Sequence, residues 1–388
     1  MMKKLFVIAV FIFFLVPTVA MAEPPPQENL VEQQLSQLGI DEIREYWEQI
    51  VTEYGGFLPE NQKGSFLEFV RGEKQFSLKE WLLGFVRYFF HELIVNGKLL
   101  GTLILLTVFS IILQNLQTAF ERNAVSKVAN AIVYMVLLII AINSFYVAVN
   151  YAQSAISSMI NFMIALLPLL LALLASIGSL TSVALFHPLI IFLVNSSGLL
   201  IKHFVLPLLF LSALLSLVST LTDHYKVTKL ANLLRNISVG TLGIFLTIFL
   251  GVISVQGAVT AVADGITIRT AKFVTGNFVP VVGRVFTDAA DTVMGASILL
   301  KNTVGIVGLA ILLLICAFPA IKVLTLALIF NLAAAVLQPL GGGAIINSLS
   351  IIGKAVIFVF AALATVCLMF FLAITIMVAA GNLSLMMR

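Results

Sequence analysis

The chain has 388 residues, of which 61% are hydrophobic and only 10% are Asp, Glu, Lys or Arg. A soluble surface needs more charge than this, and a disordered chain needs lower hydrophobicity, so both classes are excluded. The apolar residues form long unbroken runs, which predict helical spans rather than the alternating strands of a membrane barrel. The predicted fold class is therefore an all-α, polytopic helical membrane protein.

The formal net charge of +4 is unevenly divided along the chain. Residues 23–92 hold 13 acidic and 6 basic residues, whereas residues 93–388 hold 5 acidic and 14 basic ones. Basic residues in a membrane part are typical of cytoplasmic loops, so they do not indicate nucleic-acid binding. We expect two different parts, an exported acidic region at 23–92 and a multi-span membrane domain at 93–388.

A secretory signal peptide is predicted at residues 1–22. Lys3 and Lys4 precede a short apolar run, and Ala20-Met21-Ala22 has the pattern of a cleavage site. The alternative is an uncleaved anchor helix. Cleavage after Ala22 makes Glu23 the first mature residue and places it on the extracytoplasmic side.

The acidic region is predicted to consist of small amphipathic helices. Apolar residues recur at helical spacing as far as Tyr54, and Gly55–Gly56 and Pro59 end that pattern. The stretch Ser77–Glu80 has capping-box spacing and predicts the start of a helix at the outer leaflet or leading into the first span. The region is either a cap on the membrane domain or a docking surface for a partner.

Beyond residue 92 the sequence contains up to nine apolar segments, and we predict about seven to nine spans. They lie roughly at 94–116, 128–150, 156–178, 181–201, 203–222, 238–262, 303–321, 323–340 and 353–380. Several neighbours abut with almost no loop, which predicts tight hairpins or re-entrant pairs. Positive charges at Lys226, Lys229, Arg235 and Arg388 place the 223–237 loop and the C-terminus together in the cytoplasm.

The stretch 263–302 is too polar to span a membrane and too apolar for a solvated loop. It is predicted to be an extracytoplasmic amphipathic segment that rests on the membrane or on neighbouring spans. Arg284 and Asp288 lie one helical turn apart and can form an ion pair. Together with Asp291 they are candidate contacts for a partner protein.

No motif for catalysis, a cofactor or a metal is found. The chain lacks a complete phosphate loop, a zinc-protease helix and a nucleophile elbow, so a membrane-bound enzyme is poorly supported. No Asp or Glu lies deep in a predicted span, which weakens a coupled permease.

A permease for a small solute remains the alternative to a structural or conduit role. It would use unwound backbone as its binding site, as broken transporter helices do. The candidate positions are Asn195, Gly198, Gly341, Gly342 and Gly343.

Three stretches carry a resemblance to a known family. They run from Ala175 to Phe192 (ASIGSLTSVALFHPLIIF), from Arg269 to Gly308, and over the pair Ala317–Phe330 and Leu337–Gly343. In these stretches the chain resembles the stage III sporulation protein AE family, and the similarity covers nearly all of the chain after the signal peptide.

This resemblance implies a function in endospore formation. It implies a non-enzymatic component of a channel or secretion-like complex that links the mother cell to the forespore. The implied partners are other stage III sporulation membrane proteins, a companion cytoplasmic ATPase and the lipid bilayer. The implied location is the mother-cell membrane around the forespore, with the mature N-terminus extracytoplasmic and the C-terminus cytoplasmic.

Overall fold

The computed structural model describes residues 40–60, 63–71, 73–74, 76–119, 124–221, 226–278, 282–340 and 343–386. These residues form helices and connecting turns, with no strand among them, which confirms the all-α fold class. The helices are α1 (Asp41–Tyr54), α2 (Phe66–Val70), α3 (Leu78–Val95), α4 (Gly97–Ala119), α5 (Ala124–Ser176), α6 (Leu180–Leu200), α7 (Leu206–Leu221), α8 (Thr228–Phe278), α9 (Val282–Leu337) and α10 (Ala344–Met386). The predicted signal peptide lies outside the described residues.

The helices of the acidic region begin and end close to the predicted positions. α1 ends at Tyr54, directly before Gly55, and carries Asp41 and Glu42 in its first turn, where acidic side chains favour the helix dipole. α3 begins at Leu78, directly after Ser77. The predicted capping box is wrong, however, because the Ser77 side chain makes no capping hydrogen bond.

Within the described part of the chain, five helical runs are long and apolar enough to cross a membrane, or six if the bent pair α3–α4 is included. The five runs contain 39–48 residues each. At 1.5 Å per residue they extend about 58–72 Å, roughly twice the hydrocarbon core of a bilayer. The predicted segments 303–321 and 323–340 both lie within α9, and 181–201 continues into 203–222 through a π-helix at Ile201–Val205. These two pairs do not reverse direction, so the prediction of hairpins there is wrong. The pair 156–178/181–201 does reverse direction, at the turn between α5 and α6.

Contacts between α5 and the α6–α7 run show that the two are antiparallel along their full length. Their closest approaches are between Lys202 and Ser157, between the stacked rings of Phe145 and Phe210, and between Tyr134 and Thr220. Each step toward the start of α5 is matched by a step toward the end of α7. A single sharp turn at Gly178, which has a φ of +82°, makes the connection.

The remaining long helices continue the same up-and-down arrangement. α9 and α10 pair from Lys301 beside Val378 to Asn331 beside Gly353, and α8 approaches the start of α6 through Asp264. We call the end where α5, α8 and α10 begin the Lys226 end, and the opposite end the Asp264 end. The π-helix at Ile201–Val205 divides the bundle into a Lys226 half and an Asp264 half.

The up-and-down arrangement puts the 226–237 segment and the end of α10 at opposite ends of the bundle. Residues 226–237 lie at the Lys226 end, whereas α10 finishes at the Asp264 end. The predicted placement of the 223–237 loop and the C-terminus on one side therefore does not fit the bundle, because the segments thought to be hairpins are continuous helices. The stretch 263–302 consists of the last part of α8 and the first part of α9, and its extracytoplasmic location stays a prediction.

Candidate functional site

An aromatic cluster attaches the acidic N-terminal region to the middle of α9. The ring of Tyr54 stacks on Phe318, with centroids 3.9 Å apart and planes 6° apart. Phe85 and Tyr88 of α3 meet the same phenylalanine edge-on, at 5.6 and 4.9 Å. Phe318 is 1% exposed. The N-terminal region is thus a cap packed on the bundle.

Helix α1 lies alongside the Asp264 half of the bundle. Its Tyr46 ring is 5.4 Å from Phe162 of α5, and the Nζ atom of Lys322 lies 5.9 Å from the Tyr54 ring and 5.2 Å from the Tyr151 ring. Six residues of α1 are charged, and five of these are acidic: Asp41, Glu42, Glu45, Glu48 and Glu53, with Arg44 as the basic one. A strongly charged helix therefore flanks the level of the bundle from Tyr151 to Phe162.

Burial raises the pKa of the Tyr54 phenol above its ordinary value, and the hydrogen bond to Glu53 and the charges of Glu53 and Glu92 raise it further. The phenol therefore stays neutral at physiological pH. The neutral ring stacks on Phe318 and has Lys322 Nζ 5.9 Å from its centroid, so the attachment does not depend on ionisation of the tyrosine.

A buried carboxylate connects α8 to the start of α6. Asp264 is 0% exposed and accepts hydrogen bonds from the backbone N–H groups of Thr181 and Ser182, at 2.8 and 3.1 Å, and from the Ser182 hydroxyl. These donors are among the unpaired N–H groups of the first helical turn, where the helix dipole also favours an anion. Asp264 is thus an N-cap supplied by another helix.

A buried ammonium group makes the corresponding contact near the end of α10. Lys301 is 1% exposed, and its Nζ donates to the Val378 carbonyl at 3.0 Å and to Asn382 Oδ1 at 2.7 Å. Gly381 leaves the space for it, because a Cβ there would lie 2.6 Å from Nζ. The Val378 carbonyl and the Asn382 amide oxygen thus satisfy the buried ammonium group, eight and four residues before α10 ends at Met386.

The structure corrects the prediction of unwound backbone at Asn195 and Gly198. Both residues lie within α6, and Asn195 Nδ2 donates to the Ile191 carbonyl of its own helix. Gly198 serves close packing, since a Cβ there would clash with the Ile160 side chain. The irregular backbone comes three residues later, in the π-helix.

The other predicted site residues are only partly described. Gly343 directly precedes α10, and its carbonyl accepts a hydrogen bond from the Asn347 N–H. Gly341 and Gly342 lie outside the described residues. Arg284, Asp288 and Asp291 are on the backbone of α9, but their side chains, and hence the predicted ion pair, also lie outside what the structure describes.

Sequence reasoning missed both buried charges because it assigned Asp264 and Lys301 to a surface segment. A signal for Asp264 was present: the buried residues Gly257, Thr260, Ala261 and Ile268 continue a helical stripe with it past residue 262. Asp264 thus lies inside the long apolar helical run Thr228–Thr270, two residues beyond the predicted span 238–262.

Comparisons with known proteins identify one family. The family described as stage III sporulation protein AE matches residues 61–381. A protein of Bacillus subtilis (strain 168), named stage III sporulation protein AE, is 64% identical over 361 residues, which cover 93% of this chain and 90% of that protein. No solved structure matches the chain.

Proposed function

Because the chain belongs to the stage III sporulation protein AE family, we propose that it is a non-enzymatic membrane component of a multi-protein channel or secretion-like complex between mother cell and forespore. The observation that carries this proposal is the charged helix α1 beside the Asp264 half. Its charges limit which half of the bundle can lie in the bilayer.

The Lys226 half lies in the hydrocarbon of the mother-cell membrane. A charged side chain at the centre of a bilayer costs about 2.5–3.5 kcal/mol, so the six charged residues of α1 keep the adjoining half out of the lipid. α4 begins close to the level of this cap and runs toward the Lys226 end for 23 residues. That length is about 34 Å, enough for one span of the hydrocarbon core.

The Lys226 end faces the cytoplasm in this arrangement. Lys226, Lys229 and Arg235 follow the positive-inside bias there, and the exported N-terminal cap lies on the opposite side of the membrane. A companion cytoplasmic ATPase would contact this end. The C-terminus, at the Asp264 end, would be extracytoplasmic, in contrast to the expectation from the sequence.

The Asp264 half projects roughly 30 Å from the outer surface of this membrane, into the space in front of the forespore. Even at a 40° tilt, the largest commonly seen, helices of this length extend roughly 45 Å along the membrane normal, beyond the hydrocarbon core. Large apolar side chains are exposed on the projecting half, among them Phe192, Leu199, Val255 and Ile266. Other stage III sporulation membrane proteins, or further copies of this chain, would cover them.

Site-directed labelling tests the arrangement. Single cysteines are introduced by Thr228→Cys and Ser384→Cys in a background without Cys316 and Cys367, and the protein is produced in vegetative cells, whose outer membrane face meets the medium. An impermeant thiol reagent should label Ser384→Cys in intact cells and Thr228→Cys only after permeabilisation. Labelling of both positions under the same condition would contradict the arrangement.

The role in the complex is tested by spore yield and co-purification. Deletion of the gene should abolish spore formation at the stage when the forespore is engulfed, and full-length protein should restore it. An affinity-tagged chain should retain other stage III membrane proteins after crosslinking of sporulating cells. Normal spore yield in the deletion strain would exclude the proposed function.

A further inference from the structure

A cavity opens in the Lys226 half between α7, α8 and α10. It has a volume of about 240 Å³, which corresponds to roughly eight water molecules. Its lining is mixed and includes the polar side chains of Ser216, Thr228 and Asn232 and the apolar side chains of Leu209 and Phe358. The cavity is thus large enough for a phosphate group and is lined for an amphiphile.

Two cations lie on this cavity without a matching anion among the residues that the structure describes. Arg235 and Lys354 both line it, and the Arg235 guanidinium carbon lies 5.6 Å from the centroid of the Phe358 ring. No acidic side chain is among the described residues of the lining, and no ion pair joins either cation to another described residue. Two positive charges at one cavity are repulsive unless an anion occupies it.

We propose that this cavity binds the phosphate group of an anionic lipid. Arg235 can hold two phosphate oxygens at once, and Lys354 adds a second charge from the facing helix. Thr228 begins α8, so the helix dipole adds to the attraction for an anion. Basic pockets between spans on the cytoplasmic side are a recognised form of headgroup site.

The lipid, rather than free phosphate, is favoured by the surfaces next to the cavity. Leu209 and Phe358 line the cavity itself, and Ile357, next to Phe358 in α10, is 43% exposed, which offers apolar surface for an acyl chain. The phosphate chemistry does not depend on the orientation of the bundle. The lipid source rests on the proposed function, because it requires the Lys226 half to lie in the membrane.

The test uses the full-length protein, delipidated in detergent and examined by native mass spectrometry. Phosphatidylglycerol, phosphatidylcholine and sodium phosphate are titrated separately. Wild type should retain one bound phosphatidylglycerol, and Arg235→Gln/Lys354→Gln should bind it about 30-fold more weakly. Each lost cation is expected to weaken binding roughly fivefold, and the two effects multiply. Phosphatidylcholine should not distinguish the two proteins.

Two controls keep the result interpretable. Lys226→Gln/Lys229→Gln removes the same charge from the same end and should bind phosphatidylglycerol like wild type, and Arg235→Lys/Lys354→Arg keeps the charges and should restore most of the binding. If sodium phosphate bound to wild type but not to Arg235→Gln/Lys354→Gln, and the two proteins bound phosphatidylglycerol equally, the anion site would be supported and its ligand would be the free ion. Equal binding of phosphatidylglycerol and of phosphate by wild type and Arg235→Gln/Lys354→Gln would overturn the site, whatever the labelling of Thr228→Cys shows about orientation.

Discussion

The two halves of the bundle hold their helices together by different polar contacts. The Asp264 half contains two fully buried charges: Asp264 is bonded to the first turn of α6, and Lys301 is bonded to the Val378 carbonyl within α10. In the Lys226 half, neutral and partly buried hydroxyl contacts join the helices: the Tyr134 hydroxyl lies 2.6 Å from Thr220 Oγ1 and 2.9 Å from Ser348 Oγ. Neutral hydroxyl pairs are tolerated in lipid, whereas buried charges are expensive there, so the halves suit different surroundings.

The largest effect is expected where the charged cap meets the bundle. Phe318→Ala removes the ring on which Tyr54, Phe85 and Tyr88 pack, and should lower the free energy of unfolding by about 3–5 kcal/mol. Limited proteolysis of the purified protein should then cut within residues 40–95 much faster than in wild type.

The matched control is Phe330→Ala, which removes an equally buried ring from the same helix in the Lys226 half. It should lower overall stability without selectively exposing the cap. If both variants released the cap equally, Phe318 would not be its attachment point.

The next largest effect is expected at the N-cap of α6. Asp264→Ala leaves the N–H groups of Thr181 and Ser182 without their acceptor, and should cost about 2–4 kcal/mol of stability in detergent, measured by thermal unfolding. Asp264→Asn keeps an acceptor oxygen at the same place and should lose clearly less. Equal losses for both variants would mean that the charge, rather than the capping geometry, matters.

A matched pair on α8 separates the two surroundings directly. Leu233 and Val259 are both 54% exposed, one in each half. Leu233→Asp puts a charge into lipid, which costs up to about 2.5–3.5 kcal/mol of insertion free energy at a span centre and less near its end. It should therefore reduce the amount of protein in the membrane. Val259→Asp should spare abundance but lower spore yield, because it disturbs a protein contact. Equal losses of abundance would place both halves in the same environment.

The smallest effect is expected for the neutral contacts. Tyr134→Phe removes one hydroxyl that reaches two other helices and should lower stability by about 0.6 kcal/mol, the average for such bonds between helices in membranes. Ser144→Ala removes a hydroxyl bonded only within its own helix and serves as the control. If Tyr134→Phe lost more than about 2 kcal/mol of stability, the neutral contacts of the Lys226 half would be as strong as those of the buried Asp264 carboxylate, which would contradict the comparison.

Composition and local pattern were sufficient to predict the helical class, the end of α1 at Tyr54 and the start of α3 at Leu78. They were not sufficient to predict helix length. Proline usually kinks or ends a helix, yet Pro168, Pro188 and Pro319 each lie inside a continuous helix. Neighbouring helices can satisfy the carbonyl groups that a proline leaves unpaired.

The attachment of the cap could not be predicted either. Tyr54 and Phe318 are 264 positions apart, and nothing in the local spacing of either residue indicates the other. Asp264 shows the same limitation, since its partners Thr181 and Ser182 belong to a different helix. Such contacts depend on the alignment of one long helix against another, and the helical period of a single segment does not predict that alignment.

The π-helix at Ile201–Val205 has a mechanical consequence for this alignment. A π turn accommodates one residue more than an α turn, so it rotates everything beyond it by about 100° relative to an uninterrupted α-helix. α7 therefore presents a different set of side chains to α5 and α8 than the periodicity of α6 alone would give. Deleting one residue within 201–205 would convert the π turn into an α turn without changing this phase, so Ser212 should keep its bond to the Ala231 carbonyl and the two halves should stay packed.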